Sequence, residues 1–149
     1  MITLEALITA LQRHVAVEMP EDVPLVLPGI VLDAEATAEW IEFSCDAVGG
    51  IAQRDSPAEL HEVSVTLQVF VRASRQTMRI QTLAGAARSI VSGRLIDIRD
   101  QTVSDEPIIG AVRLREADLR DLTRVHAAEQ RRALRHVVVT ARGAVQAFV

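Results

Sequence analysis

The stretch Glu62–Arg72 narrows the possible fold more than any other part of this 149-residue chain. Val63, Val65, Leu67, Val69 and Val71 alternate with Glu62, Ser64, Thr66, Gln68 and Arg72, and Phe70 is the one apolar exception on the second side. A period of two puts the five aliphatics on one face of a strand. Such a strand is half-buried, with a core against one face and polar groups on the other. A slip of one residue would carry all five into water, so the register is firmly set. The chain therefore needs a sheet with at least one covered face.

Two segments can cover it. Leu4, Leu7, Ile8, Leu11 and Val15 follow the i, i+3, i+4, i+7 spacing of one helix face over residues 3–17, and Thr3 is placed to cap it. Ile80, Leu83, Ala84, Ala87, Ile90 and Val91 form a similar stripe over Gln76–Ser92. The small residues Ala84–Ala87 allow close approach to a sheet, and Gly93 suits the position after the helix end. Between the first helix and the next strand, Pro20, Pro24 and Pro28 predict an extended, irregular connection.

Further strands are predicted at Trp40–Val48, where Ile41, Phe43 and Cys45 alternate with Glu42, Ser44 and Asp46, and at Leu95–Ile98, Ala111–Leu119 and Arg132–Arg142. Gly49-Gly50 suits a tight turn, and Ser56-Pro57-Ala58-Glu59 has the form of a one-turn capping box. Residues 99–110 are polar, with Pro107 and Gly110, and predict a mobile surface loop. Arg124–Gln130 either extends the arginine-rich strand or makes a short helical turn. Gly143–Val149 is apolar for a chain end and should dock on its own domain or on a neighbour. The layout predicts one α+β domain over residues 1–149, a mainly antiparallel sheet with two helices packed on one face. Aromatic residues make up only 3%, with no Tyr and one Trp, so the core must be aliphatic.

Charge is unevenly spread. Residues 1–60 carry eleven Asp/Glu and two Arg, a balance of −9, while residues 61–149 carry nine Asp/Glu and fourteen Arg, a balance of +5. Such asymmetry asks for a partner surface and suits head-to-tail attraction between copies. The bland alternative places acidic and basic segments side by side in one fold, where they neutralise each other. Every basic residue is Arg, with neither Lys nor Asn present, which a GC-rich genome explains most simply. The net charge of −4 argues against strong nonspecific binding to nucleic acid.

No catalytic, cofactor or metal signature stands out, so an enzyme is not expected. His14, His61, His126 and His136 form no i, i+4 pair and no zinc-ligand spacing with a cysteine. The carboxylates Asp97, Asp100, Asp105 and Glu106 read as a solvated loop rather than an acid–base pair or metal site. Gly49-Gly50 lacks the residues of a phosphate loop, and no G-x-S-x-G element occurs. The single Cys45 excludes an internal disulfide and reads as a small buried residue. No signal peptide is evident, and no apolar run approaches the ~20 residues of a membrane span. A soluble chain made in a cytoplasm is expected.

The run Arg113, Arg115, Glu116, Asp118, Arg120, Asp121, Arg124 mixes both signs. It fits a solvated strand face, and also an interface with several Arg–carboxylate contacts. Aromatics for reading bases are missing.

The opening helix at 3–17, the Trp40-Ile41-Glu42-Phe43 strand, the alternating strand 62–72, the helix 76–92 and the arginine-rich C-terminal strands together resemble the tail terminator, or tail-completion, proteins of long-tailed phages and gene transfer agents. The resemblance covers nearly the whole chain and rests on order, length and texture. It implies a structural virion protein of the tail, assembled in the host cytoplasm. Six copies would form a ring that caps the tail tube and docks to the head connector or stopper, with DNA passing through the lumen unread. It implies no cofactor and no membrane. A ring needs heterologous contacts, in which one patch meets a different patch on the next copy. On that reading Glu39, Glu42 and Asp46 are candidates for the acidic side of the contact, and Arg113, Arg115, Arg120 and Arg124 for the basic side. Loop 99–110 and the apolar C-terminal segment are candidates for meeting tube or connector. The competing readings are another head–tail connector protein, a small dimeric α+β enzyme or ligand-binding domain, and a nucleic-acid-binding regulator.

Overall fold

A computed structural model of the chain describes residues 2–49, 60–72, 78–123 and 134–148. Gly50, the Ser56–Glu59 box and the Arg124–Gln130 connection lie outside the described residues. Helix α1 spans Leu4–Glu18, and Thr3 caps it by accepting a hydrogen bond from the Ala6 amide at 3.1 Å. Strand β1, Leu25–Val26, is followed by β2 at Glu39–Gly49, β3 at Leu60–Arg72 and helix α2 at Arg79–Val91. Strands β4 (Leu95–Arg99), β5 (Ile108–Leu114), β6 (Asp118–Asp121) and β7 (Leu134–Ala147) complete the described fold. It is α+β, with a mixed, mostly antiparallel sheet in the order β1-β2-β3-β7-β5-β4. Only the β1–β2 pair is parallel among the described pairings.

The alternation of β3 places its side chains as the sequence requires. Val63, Val65, Leu67, Val69 and Val71 are all buried. They share one core cluster with Leu7, Leu11 and Val15 of α1, Ile80, Leu83 and Val91 of α2, and Val137 and Val139 of β7. Strand β3 is central, pairing with β2 from Glu39↔Val71 to Gly49↔Leu60 and with β7 from Glu62↔Ala144 to Arg72↔Leu134.

Three boundaries differ from expectation. The predicted strand Ala111–Leu119 is broken into β5 and β6. Leu114 lies opposite Gly143 and Asp118 opposite Thr140, so four steps along one strand match three along β7. This is a β-bulge at Arg115–Ala117. Its backbone groups find partners at the end of α2: Gly93 N–H donates to the Arg115 carbonyl at 2.9 Å, Ala117 N–H to Ser92 Oγ at 2.9 Å, and Arg88 Nε to the Ala117 carbonyl at 3.1 Å. Strand β7 in turn runs past Arg142 to Ala147, because β5 offers it a free edge from Gly110 to Leu114. The apolar C-terminal segment therefore docks on its own sheet, and Phe148 N–H donates to the Ile109 carbonyl at 2.8 Å. The loop predicted at 99–110 shrinks to residues 100–107, since β4 reaches Arg99 and β5 starts at Ile108.

Candidate assembly surface

The sheet order separates most of the acidic candidates from most of the basic ones. Glu39, Glu42 and Asp46 lie on β2, near one edge of the sheet, while Arg113 lies on β5 and Arg120 on β6, beyond β3 and β7. Arg113, Arg115 and Arg120 are exposed, and among the described residues none of the three is in an ion pair. Arg124 lies outside the described residues.

The three acidic residues are not equivalent. Glu39 is half-buried and binds Arg79 at the start of α2, with Arg79 Nε donating to Oε2 at 2.8 Å and Nη2 to Oε1. The hydrogen bond from Arg79 holds the Glu39 carboxyl below its usual range and outweighs the opposing effect of burial, and the charge of Arg79 lowers it further. Asp22 adds a longer contact to the same guanidinium at 4.0 Å. Glu39 thus ties β2 to α2 within one copy. Glu42 accepts a hydrogen bond from the Trp40 indole at 3.1 Å. Asp46 is exposed.

One cleft brings opposite charges together inside the chain. Asp46, Glu62 and Ser64 line it from β2 and β3, and Arg142 and Arg115 from the far side, around about 330 Å³. Register explains the grouping, since Asp46 pairs with Ser64 and Ser64 with Arg142. Acidic and basic side chains of the two halves therefore share one cleft within a copy, although among the described residues none of them is in an ion pair. Arg113 and Arg120 take no part in that cleft.

The side of the sheet bearing Glu42 and Gln68 also carries a ladder that sequence reasoning missed. Trp40, Phe70 and His136 occupy matched positions on β2, β3 and β7. Their rings stack at centroid distances of 4.9 Å and 4.2 Å. The Arg72 guanidinium lies over Trp40 at 5.9 Å and bonds the carbonyls of Thr37 and Ala34. The signal was Phe70, the single break in the alternation of β3. An aromatic on the polar face of a strand implies aromatic neighbours on the strands beside it.

Two of the four histidines lie within hydrogen-bond distance of partners inside the fold. His14 Nε2 lies 2.7 Å from the Ile90 carbonyl, joining α1 to α2, and His136 Nε2 lies 2.9 Å from Gln68 Oε1. Backbone His61 belongs to β3, and His126 lies outside the described residues. In the acidic loop, Asp100 accepts from the Thr102 hydroxyl and amide, which lowers its carboxyl, and Glu106 pairs with Arg13 at 2.9 Å. Among the described residues no three His, Cys, Asp or Glu side chains are placed to hold a metal ion. Burial, assisted by the charge of Asp46, pushes the Cys45 thiol up to about 11, which disfavours the thiolate. No described helix is long and apolar enough to cross a membrane.

No protein-family model matches the chain. No curated protein is significantly similar in sequence. Among the solved structures that match, one aligns over 100% of this chain and 99% of its own, with a TM-score of 0.71 at 10% sequence identity. At that identity the match establishes a shared fold.

Proposed function

We propose that this chain is a structural assembly protein of a phage-type tail, forming a six-membered ring that caps the tail tube and presents the surface joining tail to head. The observation that carries the reading is the placement of charge. From residue 15 to residue 53 there is no Arg, Lys or His, and that stretch supplies β1, β2 and the connection between them. Exposed Arg113 and Arg120 lie across the sheet, with β3 and β7 between. Different patches on different sides are what a heterologous contact needs, and a closed ring is built only from such contacts. The reading also draws on the resemblance to tail terminators given above, which was carried by the segments that form α1, β2, β3 and α2. On this reading the tube protein and the head connector or stopper are the partners, and DNA crosses the lumen without being read.

Native mass spectrometry and negative-stain imaging over a range of protein concentrations test the proposal. Six-membered rings, or caps on tail-tube ends, are expected. A strict compact dimer that never adds further copies would overturn it.

A further inference from the structure

The loop after β1 is exposed and apolar, the groove beside β4 is partly apolar, and the two lie at opposite ends of the strand order. Residues 27–32 read Leu-Pro-Gly-Ile-Val-Leu. Gly29 takes φ +86°, a conformation that favours glycine, and Ile30 N–H closes the turn on the Leu27 carbonyl at 3.1 Å. The turn pushes apolar side chains outward: Val31 is 96% exposed and Ile30 54%. An apolar loop tip held in water by a defined turn has no role in the core of its own copy.

At the other end, α1 and β4 enclose a groove of about 360 Å³. Ala10, Val17 and Ile96 supply its apolar surface, and Val17 is 81% exposed although it sits on the helix beside the core. Arg13, Arg99 and Asp97 stand at the polar part of the lining. Arg13 pairs with Glu106, whereas Arg99 bonds only the Glu106 backbone carbonyl among its described partners, which leaves its charge without a carboxylate. Strand β4 ends the sheet, so no described strand borders the groove beyond it. The loop brings acid with it: Asp33 follows its last residue, and no Arg, Lys or His lies within the stretch 15–53.

We propose that the Pro28–Leu32 loop is a knob that seats in the α1–β4 groove of a second copy of this chain, with Arg99 facing the acidic flank of the knob. The assignment rests on the ring reading above and gives it a specific contact. Knob and groove are different patches borne by elements at opposite ends of the strand order, so each copy offers one of each and the contact propagates head to tail. Small apolar anchors in a pocket with a polar rim are a common way for such contacts to be centred.

Cysteine cross-linking tests it. Proteins carrying Val31→Cys alone and Val17→Cys alone are oxidised separately and as a mixture, with the unsubstituted protein as the control for Cys45. Both sites are exposed, so folding is expected to be unaffected. A disulfide-linked dimer is expected in the mixture at least tenfold above either protein alone, and the double variant is expected to give a ladder that ends at six. Equal dimerisation of Val31→Cys by itself, or no cross-link in the mixture, overturns the knob. Six-membered rings by native mass spectrometry without the cross-link also overturn the knob but leave the ring reading intact. A mixed cross-link whose ladder runs on without stopping at six keeps the knob and overturns the ring.

Discussion

Gly143 faces Leu114 across the β5–β7 pair, and a side chain at Gly143 would meet the Arg113 carbonyl oxygen at 2.5 Å and Leu114 Cδ2 at 2.9 Å. The seam is equally tight at its other end, where a side chain at Gly110 would meet the Gln146 carbonyl oxygen at 2.5 Å. Both atoms that would be struck at Gly143 belong to the paired strand, and one is backbone. Gly143→Ala is therefore expected to destabilise the fold by about 1–3 kcal/mol through overpacking. Thermal unfolding should show it as a fall of roughly 2–4 °C per kcal/mol for a chain of this size.

Leu67 reports on the centre of the sheet. It is fully buried in the middle of β3 and pairs with Phe43 and Val139. Leu67→Ala should cost about 2–5 kcal/mol, the sum of lost transfer energy and the cavity left behind. Urea titration should show a lower midpoint with an unchanged slope.

The Glu39–Arg79 pair gives a pH signature. Because the folded state holds the Glu39 carboxyl below its ordinary 4.5, folding favours the charged form. Its contribution is present above the ordinary value and is lost as pH falls through the lowered one. Glu39→Gln should cost about 1 kcal/mol at neutral pH. Denaturant midpoints of variant and wild type, measured from pH 7 downward, should converge below 4.5.

Cys45 should be inert in the folded protein. With its thiol pushed up to about 11, alkylation at pH 8 should be slow and should speed up sharply in denaturant. Mass spectrometry of timed iodoacetamide quenches checks this. Cys45 is half-buried rather than fully buried as the sequence suggested, and fast labelling of the folded chain would contradict its raised thiol beside Val65.

Arg113 is the arginine whose reversal separates assembly from stability. It is exposed on β5 and outside the mixed-charge cleft. Arg113→Glu should leave thermal stability within about 0.5 kcal/mol, as surface changes do. It should raise the concentration for half-assembly roughly tenfold, the scale of one interfacial charge contact. Higher salt should weaken wild-type assembly in the same direction, because screening acts over about 8–10 Å.

The amino-acid sequence by itself determined the local elements whose evidence is periodic. The alternation at Glu62–Arg72 specified β3 and the face it buries, and the helical spacing of Leu7, Leu11 and Val15 specified α1 together with its Thr3 cap. These follow from a few neighbouring residues, because a strand or helix face is set by a repeat of 2 or 3.6. Only the tertiary structure decided which strands meet. It broke Ala111–Leu119 at a bulge, because the end of α2 supplies partners for that backbone. It carried β7 to Ala147 because β5 had an edge to pair with. It joined Glu39 to Arg79, 40 positions away, and put Asp46 in one cleft with Arg115, 69 positions away. Such pairings depend on the summed fit of whole faces brought together from distant parts of the chain, and no local spacing encodes them.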